Sequence, residues 1–374
     1  MNILFIAYSP LTTHAGGIQR VTSILSTELH KRGHNVYYLC GVKKQVQQDV
    51  IETYPISIYM DKDLATPYDK ASLYLYHKYL TEFNIDIVIL QYPIFGKSSF
   101  FLKNTPKNIP LISCFHNQPF YQTKKGSFKN VAKSIVRIQK EKYLFSKALK
   151  HSTKLCLLSD KFLVRFPQKL KTEYQEKFIA INNPNTFPAE QSPTQKESCI
   201  LLVSRLCEGQ KNIHDFIDMW SLLSTKNPQW SAYIVGDGPD RTYLENYAKQ
   251  KCVTNLHFEG MKSNVSDYYA KAKFICMTST YEGWGMTLTE GMAYGCIPCV
   301  YGTYEAAYDI IDNNECGFIT TPFNPQEMAD KIQSLIDNEE KRQLFSHKAK
   351  AKIRQFTPEK IVDQWEQLFI KLKS

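Results

Sequence analysis

Short, nearly unbroken apolar runs alternate with helical periodicity from one end of this chain to the other. In the first half the runs occupy 3–7, 36–39, 85–90, 111–115, 155–158 and 178–181. In the second they occupy 199–203, 232–235, 256–258, 274–277, 297–300 and 317–319. A strand apolar along its whole length is covered on both faces, which predicts parallel sheets rather than half-exposed antiparallel ones. Two such sets predict an α/β protein of two doubly wound domains.

The stretch 182–193 carries three prolines and no periodicity, so it reads as a linker. It divides a domain 1–188 from a domain 189–355, leaving 356–374 as a helix. Thr357 suits its cap and Pro358 its first position, and Ile361, Trp365, Leu368 and Leu372 share a face. No repeat or low-complexity tract interrupts the pattern.

Composition changes this picture little. At 374 residues, 43% hydrophobic and 22% charged, each half can bury a core. No apolar run approaches the length of a membrane span. The first ten residues lack a basic region and stop at Pro10, so they read as a first strand and not a signal peptide. The ten cysteines are scattered, many of them in apolar runs, as reduced core thiols are in a cytoplasmic protein. Cys296-Ile-Pro-Cys299 lies in a predicted strand with no second pair, and reads as packing. Charge adds more. Residues 1–190 hold 26 Lys and Arg against 13 Asp and Glu, a net +13 of the chain's +10, so 191–374 carry −3. That asymmetry points the first half at something anionic.

The stretch 279–290 carries the most chemistry. After a buried strand come Gly283 and Gly285, then a short helical pattern, with Glu282 before the glycines and Glu290 in the helix. Unpaired first-turn amides and the helix dipole make such a turn an anion site. Phosphates for the amides and hydroxyls for the carboxylates are what a nucleotide-sugar offers. Arg205 and Lys211 flank a loop after the strand at 199–203 and can reach one diphosphate, the first as a fork and the second as a point charge. Gly236 and Gly238 end the next strand and permit close backbone approach. In the first half, Gly16 and Gly17 open an amphipathic helix, another phosphate-compatible place, without a dinucleotide-binding pattern. His116 ends the strand at 111–115, where a histidine is either a satisfied core residue or a ligand contact. Asp61-Lys-Asp63 has the form of a metal motif but no supporting context, and reads as a solvated loop; no metal is expected.

Glu282-Gly-Trp-Gly followed by four residues and Glu290 resembles the signature of the retaining GT-B glycosyltransferases of the large family four. The cation pair resembles that family's Gly-Arg-x-x-x-x-Lys pattern, with Ser204 where glycine is usual and one more residue between the two cations. The resemblance implies a GT-B architecture: two Rossmann-like domains with an interdomain cleft, an acceptor side first and a nucleotide-sugar side second, and the last helix packed back on the first domain. It implies that Glu290 meets the ribose hydroxyls and Glu282 those of the transferred sugar. The amides of Gly285, Met286 and Thr287 would hold the distal phosphate, and Arg205 and Lys211 would neutralise the leaving diphosphate. Gly236, Gly260, Met261 and Lys262 would lie toward the nucleoside, Gly16 and Gly17 at the donor phosphate, and His116 on the donor sugar. The acidic position that the family keeps after the strand at 297–300 falls to Glu305 or Asp309. The donor would be a UDP-sugar or GDP-sugar with no cofactor, and the acceptor a glycan or lipid-linked glycan.

Residues 124–154 hold ten Lys and Arg against one acid, Glu141. Lys125, Lys129, Lys133 and Arg137 form one stripe, and Phe128, Val131, Ile135, Ile138, Phe145 and Leu149 an apolar face. Such a helix suits either an anionic membrane, at the inner face of the plasma membrane, or packing on the sheet with solvated lysines. Nucleic acid is not expected, because no aromatics interleave with the charges. Two other functions fit parts of the pattern. A phosphorylase or nucleotide-sugar epimerase would share the fold but lacks a candidate acid/base pair. A non-catalytic membrane or polyanion binder would need only the basic segment.

Overall fold

The computed structural model describes residues 1–7, 11, 16–41, 55–60, 68–92, 98–120, 128–170, 172–188 and 195–374, with backbone alone at 128–133 and 165. The described chain forms two compact units, one of residues 1–184 with 358–374, the other of 185–357. The Asp61-Lys-Asp63 triplet lies outside the described residues.

The first unit runs β1 (Asn2–Ile6), α1 (Gly17–Lys31), β2 (Asn35–Cys40), β3 (Ile56–Tyr59), α2 (Lys70–Glu82), β4 (Ile87–Leu90), α3 (Ser98–Asn104), β5 (Leu111–Cys114), α4 (Phe128–His151), β6 (Lys154–Leu157), α5 (Asp160–Leu170) and β7 (Phe178–Ala180). All seven strands pair in parallel, in the order β3-β2-β1-β4-β5-β6-β7. The central strands are apolar because both faces are covered: Ile87, Val88 and Ile89 are fully buried. Strand β3 was absent from the expected runs. It is an edge strand with Ile56 48% exposed, so only alternate residues needed to be apolar. Asp69 caps α2 in a reciprocal box with Ser72.

The second unit runs β8 (Cys199–Val203), α6 (Glu208–Lys211), α7 (Ile213–Ser224), β9 (Ser231–Val235), α8 (Arg241–Gln250), β10 (Leu256–Gly260), α9 (Val265–Lys271), β11 (Phe274–Met277), α10 (Met286–Ala293), β12 (Ile297–Tyr301), α11 (Ala307–Ile310), β13 (Phe318–Thr320), α12 (Pro325–Ile336) and α13 (Glu339–Ile353). Its six parallel strands take the order β10-β9-β8-β11-β12-β13. The core gathers around Trp220, Phe216 and Phe274, all fully buried. Asn324 and Asn338 cap α12 and α13 through the amides of Glu327 and Lys341. The two ends of this unit meet where the amide of Asn185 donates to Phe356 O at 2.7 Å.

Helix α14 (Pro358–Lys373) belongs to the first unit and packs on α1. Its buried stripe of Ile361, Trp365, Leu368 and Phe369 faces that unit. Arg32, one residue past α1, donates to Asp363 at 2.6 Å, to Glu366 at 2.7 Å and to Glu359 O at 2.8 Å. His34 Nε2 meets the other oxygen of Glu366 at 2.8 Å, and Lys373 reaches Asp86 at 2.9 Å.

Candidate active site

In each sheet the strand order reverses once, between β1 and β4 and between β8 and β11. In doubly wound sheets ligands bind beyond the carboxyl ends of the strands at that reversal. The loops leaving β8 and β11 hold Arg205, Lys211, Glu282 and Gly285. They are stitched together: Thr280 N donates to Gln210 O at 2.7 Å, Asn212 Nδ2 to Thr278 O at 3.2 Å, and Thr278 Oγ1 to Lys211 O at 3.2 Å. Asn212 sits in the left-handed region (φ 49°) and ends α6 there. This latch presents Lys211 to Glu282, with Nζ 2.5 Å from Oε1 and side chains 19% and 12% exposed. Glu208 fixes the same turn by accepting from the amide of Ile213 at 2.7 Å. Arg205 stands exposed two residues past the end of β8.

Helix α10 starts at Gly285, whose φ of 101° is unfavourable for any residue with a side chain. A Cβ there would also come within 2.9 Å of Tyr304 Oη. Its N-cap residue is a glycine with no side chain to cap it, and the positive end of the helix dipole falls at the first turn, Met286 and Thr287. Tyr304 is buried, donates to Met277 Sδ at 3.4 Å, and burial pushes its phenol well above the usual range.

Glu290 lies one turn further along α10 and is only 2% exposed. Thr186 donates to its Oε1 and Tyr269 to its Oε2, both at 2.8 Å. Its carboxylate therefore already has two protein donors where ribose hydroxyls were expected. Trp284 is buried edge-on against Phe356, and its Nε1 has no hydrogen-bond partner among the described residues.

On the β9 and β10 side, Gly236 N donates to Gly260 O at 2.8 Å. Gly236 has φ 135°, and a Cβ there would sit 2.0 Å from Ser204 O. The face that demands glycine is thus turned to the chain's own backbone. Met261 projects with 76% exposure, and Lys262 pairs with Glu259 at 3.3 Å. Glu305 and Asp309 are both half-buried near α11.

In the first unit, Gly16 is the extended N-cap of α1 and Gly17 its first residue, both exposed. Beyond β4, Gln91 is 2% exposed; beyond β5, His116 is half-buried. His116 Nε2 bonds Gln91 Oε1, and Gln91 Nε2 donates to Thr22 Oγ1 at 3.0 Å. Burial pushes the imidazole down to about 4, so it is neutral at physiological pH. Gln91 had no sequence signal: it is one polar residue after an apolar run.

Helix α4 splits its apolar residues. Phe145 and Leu149 are buried, while Ile135, Val136 and Tyr143 are 56%, 69% and 68% exposed. Cys296 and Cys299 are buried thiols, and Cys296 Sγ contacts Tyr269 O and Ala272 O at 3.1 and 3.2 Å. Among the described residues no three His, Cys, Asp or Glu groups gather as a metal site would require, and no helix is long and apolar enough to cross a membrane.

Residues 185–352 match the family described as glycosyl transferases group 1, and residues 15–150 match Glycosyltransferase Family 4. An uncharacterized glycosyltransferase of Haemophilus influenzae is 29% identical over 211 residues, 54% of this chain and 60% of that protein. A Campylobacter jejuni relative is 28% identical over 210 residues, 54% of this chain and 58% of its own length. Its name describes an alpha-1,4-N-acetyl-D-galactosaminyltransferase acting on a GalNAc-containing glycan on PP-undecaprenol. The chain thus spans about 60% of the length of these relatives. Among solved structures, S. aureus TarM bound to fondaparinux, alpha-GlcNAc-glycerol and UDP superposes with a TM-score of 0.79 at 15% identity, over 98% of this chain and 99% of that one.

Proposed function

The chain belongs to the GT-B glycosyltransferases of the family four type, and we propose that it is a retaining hexosyltransferase. It moves a sugar from a nucleoside-diphosphate donor to a hydroxyl of a glycan or lipid-linked glycan. The observation that carries this reading is the Lys211–Glu282 pair, latched at the strand-order reversal beside the glycine-started N-terminus of α10.

The pair is ready for a ligand that is anionic at one end and hydroxylated at the other. Lys211, with the exposed Arg205 and the amides of Gly285, Met286 and Thr287, receives the diphosphate. Glu282, freed in part from Lys211, accepts from sugar hydroxyls. As the glycosidic bond breaks, negative charge grows on the phosphate oxygen, and these fixed cations and amides stabilise it most in the transition state. That oxygen takes the acceptor proton from the same face, so no separate protein base is required. The cations and amides fill the role of a divalent ion, which makes the reaction metal-independent. Glu290, held by Thr186 and Tyr269, positions the ribose through a shared network.

UDP in the TarM structure favours a UDP-sugar over a GDP-sugar. The exposed Ile135, Val136 and Tyr143 beside Lys140 and Lys150 on α4 favour a peripheral seat on an anionic membrane, where a lipid-linked acceptor resides. The undecaprenol-linked acceptor in the Campylobacter relative's name agrees with that.

The test is transfer from UDP- and GDP-sugars by wild type, Lys211→Met and Glu282→Gln, with and without a chelator. Each variant is expected to lose about 10²–10³-fold in kcat with the fold retained. Near-wild-type turnover in both rejects the assignment, and loss of activity with the chelator rejects metal independence.

A further inference from the structure

A second concentration of charge lies at the opposite end of the second unit's sheet. Lys273 precedes β11, Ile297 opens β12 and Lys196 stands three residues before β8, so all three lie at the amino ends of strands. Lys211 and Glu282 follow the carboxyl ends of the same sheet, a strand length of about 15 Å away. One face of α13, carrying Arg342, Ser346 and Lys350 at intervals of four, closes over these amino ends. Ser346 Oγ fixes it there by donating to Gly295 O at 2.6 Å. Between helix and strand ends is a cavity of about 600 Å³, inside the range of small-molecule pockets, about 300–1,000 Å³.

Among the described residues, four Lys and Arg side chains line this cavity, Lys196, Lys273, Arg342 and Lys350, against one acid, Glu339. That acid is 73% exposed and 3.7 Å from Arg342, so it neutralises little of the charge. Lys196 donates to the carbonyls of Tyr269 and Ala272 at 2.8 and 2.7 Å, which satisfies its protons without cancelling its charge. Lys273 and Arg342 share the ring of Trp230, at 5.1 and 6.0 Å from its centre, and the ring holds the two cations together. On α13, Lys348 and Lys352 reach Glu315 and Asp312 at 3.2 and 2.9 Å. Lys350, in the cavity wall between them, has no acid partner among the described residues. Burial pushes the ammonium groups of Lys196 and Lys273 down, and Lys350 and Arg342 respectively push the same way. Like charges gathered in a partly buried cleft are costly, and an anion that joins them removes the cost.

We propose that this cavity binds a phosphate-bearing anion, at a site separate from the one for the donor diphosphate, with Lys273, Arg342 and Lys350 on the phosphate. Arg342 uses only Nη1 on the carbonyls of Leu335 and Ile336, which leaves its Nε–Nη2 edge as a planar fork. A fork with two flanking point charges matches phosphate better than a lone carboxylate. Gln343 and Ser346 wall the remainder, so the rest of the ligand is polar, as in a phosphate monoester of a hydroxylated compound. A free ester and a lipid headgroup both present this chemistry.

The test is equilibrium dialysis of the full chain against radiolabelled inorganic phosphate and glycerol phosphate, with ionic strength held fixed so that screening does not change. Flotation on vesicles of phosphatidic acid in phosphatidylcholine runs beside it. Lys350→Gln and Lys273→Gln should each weaken binding about tenfold, the loss of one charge-assisted hydrogen bond. Lys211→Met, at the other end of the sheet, should leave this binding unchanged. Lysine acylation read by mass spectrometry should show Lys350 protected by phosphate and not by chloride. Binding of the soluble anions makes the ligand a free ester; flotation that Lys350→Gln abolishes, without soluble binding, makes it a lipid headgroup. Absence of both overturns the proposal, and so does affinity retained in both cavity variants. Phosphate binding that Lys211→Met removes and Lys350→Gln keeps also overturns it, because the anion is then at the donor site. Lys350 has no ion pair to lose, so Lys350→Gln should melt as the wild type does. If it melts lower, acylation of the wild type decides: Lys350 reacting equally fast in phosphate and in chloride overturns the proposal.

Discussion

Replacing Gly285 by alanine separates two costs in the turn that starts α10. The first is conformational: a φ of 101° forces alanine into a region worth about 1–2 kcal/mol of strain. The second is contact. The new Cβ would lie 2.9 Å from Tyr304 Oη and 3.3 Å from Leu288 Cδ1. Tyr304 is buried and bonded to Met277, so its ring cannot swing away; overpacking of this kind costs about 1–3 kcal/mol. The sum, about 3 kcal/mol, should lower the melting temperature of the second unit by about 6–12 °C. Tyr304→Phe removes only the clashing oxygen. In the Gly285→Ala background it should recover about 1 kcal/mol, leaving the strain untouched, so a double-mutant cycle reads the two costs apart. The same variants assayed for transfer should lose kcat, because the first-turn amides move. Gly285→Ala melting within 1 °C of wild type, or a cycle with no coupling, would refute this account of the turn.

Arg32→Ala should loosen α14 by about 1–2 kcal/mol, since several partly exposed charged contacts act together; limited proteolysis near Thr357 at low and high salt checks this, and unchanged cleavage contradicts it. Burial pushes the Glu366 carboxyl up, but hydrogen bonds from His34 and Arg32 outweigh it and hold the group below its usual value. Its stabilising contribution is therefore present at neutral pH and lost as pH falls through the depressed pKa, so Glu366→Gln should flatten the acid limb of unfolding. For His116 the imidazole is pushed by burial from 6.5 to about 4, so the unfolded chain binds its proton more readily. The first unit should lose stability as pH falls from 6.5 to 4, and His116→Asn should reduce that slope in thermal melts.

The strands were legible because buried parallel strands are apolar without interruption, and β3 was not because an edge strand need not be. The residues of the second-unit site were legible as a set of spacings. Their mutual arrangement was not. That Lys211 leans on Glu282 depends on the latch between Gln210 and Thr280, seventy residues apart in sequence. Gly236 looked like a ligand-approach glycine, yet its missing side chain makes room for Ser204 O, a partner no local pattern announces. The donors on Glu290 come from Thr186 in the linker and Tyr269 in α9, two residues with no motif of their own. Gln91 became visible only once α1 and β5 stood beside it.

The return of α14 to α1 bears on the order in which the chain assembles. Arg32 and Asp363 are 331 positions apart, so in an unfolded chain their contact closes a very long loop. The second unit is continuous in sequence, and its ends are pinned together by Asn185 and Phe356. Once it has formed, the stretch between Arg32 and Asp363 is shortened by its whole length, and the entropy of bringing α14 home falls. That shortening roughly halves the loop and is worth only about 0.6 kcal/mol, so a lesion in the core of the second unit should weaken the docking of α14 by about that much even though it touches none of that helix's contacts.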